Sequence, residues 1–179
     1  MKLEQKRLCQ VALIHPTPTN ACCIEQLNAF LCRPLRPLRG LLDPARLQPI
    51  AGDCYTYLSS PYGVAGWTLR PRVTLRARWT GHELHIEQVE SRVDGLGSWQ
   101  DQLRFGLEAW LRPVALVEAG VDGVGLEAES LVWAELPAGA LVMAGPLLNL
   151  GLQQLLDRLE RRCQRGLRRR AEAWLAKDL

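Results

Sequence analysis

The chain contains no run approaching about eighteen uncharged apolar residues, so no segment is suited to cross a membrane as a helix. Its first fifteen residues hold only a short apolar stretch and no small-residue cleavage site. A secretory signal is therefore not expected, and a cytoplasmic protein is. Six cysteines are present, at 9, 22, 23, 32, 54 and 163, but no Cys-x-x-Cys pair. None of the usual metal-ligand spacings occurs, and the chain is large enough to need no disulfide staples. Free, mostly buried thiols in a reducing compartment are expected, with no metal and no cofactor.

The strongest catalytic signatures are missing as well. There is no Gly-x-Ser-x-Gly elbow, no Gly-x-x-x-x-Gly-Lys phosphate loop and no His-Glu-x-x-His helix. Gly120-Val121-Asp122-Gly123-Val124-Gly125 is glycine-rich, but its spacing is wrong for a phosphate cradle and no helix follows. Gly120 to Gly123 reads as a hairpin turn. His82 and His85, three apart on a strand, point to opposite faces and make poor co-ligands. Glu87, Glu90, Asp94 and Asp101 are the candidate acids and bases, yet all lie in polar segments where ordinary solvation is the default. The expectation is a protein that is not an enzyme.

What is present is the balance of a soluble globular chain: 179 residues, 47% hydrophobic and 23% charged. With no repeat or linker, residues 1–179 form one domain. Lys6 to Ile14 reads as a first strand, closed by His15-Pro16-Thr17-Pro18. Ala21 to Leu31 fits a strand or a short helix equally. Residues 34–42 read as a short helix, ended by Asp43-Pro44.

From Asp53 the pattern alternates with period two for about eighty residues. Tyr55–Leu58 and Gly63–Trp67 read as two strands around Ser59-Ser60-Pro61. Leu69–Trp79 and Glu83–Val93 follow, then Leu103–Leu111, Val114–Ala119 and Leu126–Leu136. Short turns between successive strands imply an antiparallel sheet. Pro146 offers a first helical position, and the chain is helical in period to Leu175, about 45 Å long. The apolar stripe of that helix, from Leu148 to Trp174, needs a surface, and the sheet supplies it. The fold class is therefore α+β: a curved antiparallel sheet wrapped around a long C-terminal helix.

The order and spacing of several short stretches carry a resemblance. They are Phe30-Leu31-Cys32-Arg33-Pro34-Leu35-Arg36, Leu42-Asp43-Pro44-Ala45-Arg46, Leu69-Arg70-Pro71-Arg72-Val73, Glu135-Leu136-Pro137 and the arginine-rich last helix. Together they are similar to a family of cyanobacteria and plastids whose fold is of the START and polyketide-cyclase (SRPBCC) helix-grip type. The family's Thr-Gly-Asn before the last helix is replaced here by Ala144-Gly145-Pro146, and the segment after Trp99 diverges. The resemblance implies the helix-grip fold and a phototroph origin, and no reaction.

Such a domain would hold a hydrophobic small molecule between sheet and helix, a lipid, pigment or isoprenoid, or would assist protein assembly in a phototroph. The wall would include Val73, Leu75 and Trp79, then Leu84 and Ile86, then Leu103, Phe105 and Leu107. Leu152, Leu156 and Leu159 would close it from the helix. The same residues describe a filled core. Trp110 and Trp133 have outward parity and mark either an interaction patch or packing beneath loops.

Charge is concentrated in one place. Between Asp157 and Arg170 seven arginines face two acids, while the whole chain carries only +3. Arg158, Arg161, Arg162, Arg165, Arg168 and Arg169 form a basic helix face. It would be a solvated surface, or a dock for an acidic protein or an anionic membrane, making the protein peripheral to that membrane. Nucleic acid is disfavoured, because the net charge is small and no groove-entering or stacking motif accompanies it.

A second basic stripe, Arg70, Arg72, Arg76 and Arg78, alternates along one strand. A turn at Thr80-Gly81 sets Arg78 opposite Glu83, and a turn at Gly81-His82 sets Arg76 opposite Glu87. Either register keeps apolar facing apolar. Both leave Arg70 and Arg72 without an acidic neighbour.

Overall fold

The computed structural model describes residues 2–14, 20–64, 66–95, 97, 102–118, 121–136 and 138–178. Alternation decides the strands. In β5 (Trp67–Trp79), Val73, Leu75 and Ala77 are buried, while Arg70, Arg72 and Arg78 are exposed on the other face. The hairpin to β6 (Leu84–Asp94) takes the second of the two registers, with Arg76 opposite Glu87 and Ala77 opposite Ile86. Thr80 N–H donates to Glu83 O at 2.9 Å, and Gly81 takes φ +105° in the two-residue reversal, a conformation other residues adopt at a cost.

The register slips once, between Thr74 and Leu75, so that Val89 is an extra residue in β6. A bulge of this kind turns the strand and switches the inward parity. Leu84 and Ile86 are buried before it, and Val93 after it. Beyond the bulge Arg70 stands opposite Asp94, which corrects the expectation that it has no acidic neighbour. Arg72 stands opposite Arg92.

β7 (Arg104–Glu118) and β8 (Val121–Glu135) are longer than expected, and their ladder is continuous. Val114 onward is therefore not a separate strand. Glu118 pairs with Val121, so Val121, Asp122 and Gly123 belong to β8 and not to a turn, and residues 119–120 lie outside the described residues. β1 (Lys2–Leu13) pairs with β8 over its full length. On the other side, β2 (Leu47–Pro49) pairs with β3 (Cys54–Leu58), and β3 with β5.

β4 (Tyr62–Val64) also pairs with β5. Leu58 opposes Arg72, Tyr62 opposes Leu69, and Ser59 N–H donates to Pro71 O between them. β3 and β4 are thus successive parts of one edge, not partners around a turn. The described strands form one antiparallel, curved sheet in the order β1-β8-β7-β6-β5-β3-β2, with β4 on β5.

Ala21–Leu31 resolves as helix, α1 (Asn20–Leu31), because its buried residues Cys23, Leu27, Phe30 and Leu31 fall at three- and four-residue steps. The expected short helix is α2 (Leu35–Leu41). The last helix begins at Ala138, not at Pro146: α3 (Ala138–Arg162) passes through Pro146, which removes one backbone donor without stopping it. A wide π turn over Cys163–Leu167 then leads into α4 (Arg168–Leu175).

At that π turn α2 crosses the last helix backbone to backbone. A Cβ on Gly40 would lie 2.8 Å from Leu167 Cα, and one on Gly166 would overlap the Gly40 carbonyl oxygen. Around this crossing the interior is solid: Val11, Leu27, Leu31, Leu84, Leu111, Leu126 and Leu175 are almost wholly buried. Trp174 seals the outside. It lies 6.3 Å from Phe30, donates its indole N–H to Gln26 O, and carries the Arg36 guanidinium 4.0 Å above its ring.

Candidate functional site

At the other end α3 packs on β1 and β8 but stands away from β5 and the start of β7. Helix and sheet enclose a cavity of about 760 Å³. Three positions make it. The inward parity of β5 presents Leu69, Pro71, Val73 and Leu75 as one wall. Leu103, Phe105 and Leu107 from the start of β7 form the floor, and α3 roofs it with Leu148, Leu152, Leu155 and Leu159. Gly151 faces the space from α3, and nothing lies within 4 Å of where its Cβ would be. The volume falls within the roughly 300–1,000 Å³ of small-molecule pockets, and such pockets are mostly apolar with a few polar groups.

The sheet itself opens here. β6 and β7 pair only from Leu84–Leu111 to Glu87–Glu108, and then separate. Beyond that point the Phe105 carbonyl is held by side chains, accepting from Gln88 Nε2 and from Ser91 Oγ, the latter at 3.1 Å. Gln88 lines the cavity, and its Oε1 is buried with no donor among the described residues. An unpaired buried acceptor is costly, roughly 1–3 kcal/mol. The bulge at Val89 is what lets Gln88 and Val93 both face inward.

The structure brings Val73, Leu75, Leu103, Phe105 and Leu107 together with Leu152 and Leu159 around the cavity. It does not place the other four expected wall residues there. Leu84 and Ile86 lie in the solid core beside α1, because their end of β6 is paired and covered. Trp79 packs against that same core at the far end of β5. Leu156 points at Val132 and Ala134 on β8. Gln88 was missed because it is polar, Val93 because an unmarked bulge reverses parity, and Tyr57, Ser59 and Ser60 because they belong to a stretch interrupted by proline.

One rim is basic. Arg158, Arg161 and Arg162 line the cavity, and together with Arg165, Gly166 and Arg169 they also line a second concavity of about 530 Å³ along the helix. The two acids in this stretch are drawn elsewhere. Asp157 and Glu160 both accept from Arg7 on β1, the Glu160 contact at 2.9 Å, and this pairing raises the Arg7 pKa. Among the described residues Arg161, Arg162, Arg165 and Arg169 make no ion pair or hydrogen bond, and all four are exposed. Arg168 departs from the expected basic face: at one helical turn it bonds Glu172, 2.9 Å away.

The remaining candidates lie away from the cavity. Glu87 pairs with Arg76 and Asp94 with Arg92, Glu90 is exposed, and Asp101 is outside the described residues. Arg78 pairs with Asp53, not Glu83, and holds the Asp53 carboxyl below its usual range. His85 bonds Glu108 at 2.8 Å and stacks on Trp110, and His82 is exposed. Trp133 lies over Gly106 on the neighbouring strand with Lys2 above it. Both tryptophans thus pack across strands on the outer face of the sheet. Trp99 is outside the described residues.

The six cysteines are thiols; Cys9, Cys23 and Cys163 are buried, and Cys22 and Cys32 are exposed. Cys9 is lowered to about 7 by its hydrogen bond with Cys163, and Cys163 is raised by the same bond and by burial. Among the described residues no cluster of three or more His, Cys, Asp or Glu is placed to hold a metal ion. Among them, too, no helix is long and apolar enough to cross a membrane.

Sheet, grip and cavity define a class: an α+β helix-grip domain. A conserved protein from Geobacillus kaustophilus has a similar structure, with a TM-score of 0.51 at 10% identity over 98% of this chain and 97% of that one. That likeness shows a shared fold. Norcoclaurine synthase from Thalictrum flavum is more distant, at TM-score 0.45 and 13% identity over 90% of this chain and 93% of that one. A protein from Rhizobium loti is at 0.43 and 12% identity, over 90% and 99%. No family model and no curated protein sequence matches the chain.

Proposed function

We propose that the domain binds one hydrophobic small molecule in the cavity between β5, the start of β7 and α3, and that it acts by binding and not by catalysis. The observation that carries this is the hollow itself. Leucine-rich surfaces on sheet and helix stand apart around about 760 Å³, whereas a chain selected only for stability fills such a space. The lining adds the groups that orient a ligand: the orphaned Gln88 Oε1, the hydroxyl-bearing Tyr57, Ser59 and Ser60, and Gln154. Gln88 Oε1 calls for a hydroxyl or N–H on the ligand.

A lipid, pigment or isoprenoid has the required apolar body. The resemblance to the cyanobacterial and plastid family favours these compounds, and with them a part in protein assembly in a phototroph.

Native mass spectrometry of freshly purified protein, with titration of the neutral fluorophore N-phenyl-1-naphthylamine, tests the reading. Wild type is expected to carry a co-purified molecule or to bind the probe at one site. Gly151→Trp, which fills the space from α3, is expected to abolish binding while keeping its melting temperature. A clean apo mass together with no probe binding by the wild type would falsify the proposal.

A further inference from the structure

We infer that the ligand is an amphiphile with an anionic head, a carboxylate or phosphate, seated on Arg161 and Arg162 where the cavity reaches solvent. This deepens the binding function proposed above and rests on it.

Four observations lead here. Arg161 and Arg162 line the apolar cavity and also the concavity outside it, so a molecule leaving one space meets the other at their side chains. Both are exposed, and among the described residues no carboxylate neutralises either. The acid one helical turn before Arg161, Asp157, is held by Arg7 from the sheet, and no acid lies three or four residues from Arg162. Arg165 and Arg169 continue the same face a turn and two turns on, so the field at the rim is positive over the whole concavity. Guanidinium groups recognise carboxylate and phosphate through paired, charge-assisted N–H donors. An apolar tail in the cavity would place its head at this rim.

The test compares ligands that share a tail. Laurate, dodecyl phosphate and dodecanol compete against N-phenyl-1-naphthylamine on the full chain, with inorganic phosphate as the tailless control. Laurate and dodecyl phosphate should displace the probe at concentrations at least about tenfold below dodecanol, as expected for hydrogen bonds to a charged group. Inorganic phosphate should not displace it. The double variant Arg161→Gln, Arg162→Gln should bring both anions to the level of dodecanol and leave dodecanol unchanged.

Equal displacement by the alcohol and the anions overturns the head-group inference alone. Failure of the probe to bind wild type whose mass is that of the chain alone removes the cavity reading and this one with it. Flotation with phosphatidylserine vesicles separates the remaining source. Salt-sensitive vesicle binding without any advantage for the soluble anions means that the arginines read a surface, and it overturns the inference.

Discussion

The two ends of the space between sheet and helix are built from the same residue types and reach opposite outcomes. Around α1, α2 and the π turn, leucines from β6, β7, β8 and the last helix close into a core without gaps. Around the second half of α3, leucines and Phe105 line a void. The difference lies in the backbone. At the solid end Gly40 and Gly166 let two helices touch, so the last helix is drawn onto its neighbours. At the hollow end α3 reaches the sheet through side chains alone, and β6 and β7 part after four pairs. Apolar composition sets that an interior exists; backbone approach sets whether it is full.

The largest expected effect contrasts one leucine from each end. Leu126→Ala in the solid core should cost about 2–5 kcal/mol of stability, because it leaves a cavity in a filled region. Leu155→Ala, which borders space already empty, should cost well under half of that. Urea unfolding measures both, and equal losses would show the hollow end to be packed.

The glycines sharpen the contrast with one substitution of opposite sign on the same helix run. Gly166→Ala should destabilise by about 1–3 kcal/mol, since its methyl overlaps the Gly40 carbonyl. Gly151→Ala, with open space around its Cβ, should stabilise by about 0.5–1 kcal/mol through helix propensity. A loss of stability in both would mean that α3 sits closer to the sheet than the structure has it.

The smallest effect concerns neither end but the outer face that joins them. Glu127 is held below its ordinary range by hydrogen bonds from Gln10 and then Arg112. Its folded pKa is the lower one, so its contribution is complete above the ordinary carboxylate value of about 4.5 and is lost as pH falls through the folded value. The pair is near the surface, and solvent screening keeps the effect small. Melting temperature against pH should fall slightly less steeply below pH 4.5 in Glu127→Gln than in wild type; identical slopes would remove the linkage.

Much of this contrast was legible in the sequence, and the part that was not has physical reasons. Period two along Leu69–Trp79 correctly separated arginines from core residues, and with the last helix it yielded the helix-grip architecture. The reading of strand parity turned Val73, Leu75, Phe105 and Leu107 to the inner side of the sheet, where they border the hollow. As a guide to the cavity it failed at Leu84 and Ile86, since nothing local says which end of a strand a helix will cover. It also missed Gln88, which shares the inward parity of Leu84 and Ile86 but is polar, and Val93, because Val89 bears no mark of being the extra residue that reverses parity. The basic rim was visible as an arginine run. That Arg7, some 150 residues away, holds its two acids was not.

The neighbourhood of β1 and β8 has a consequence in time. Lys2 lies opposite Glu135, so β1 waits during synthesis for β8, the last of the described strands, before it finds its partner. Until then its backbone donors and acceptors have only water, and the β5–β8 meander must form with one edge open. Contacts this distant along a chain are slow to form, and folds dominated by them complete on the order of milliseconds to seconds. A chain released before Val121 would present β1 as an unpaired edge, the kind of strand that seeks another molecule.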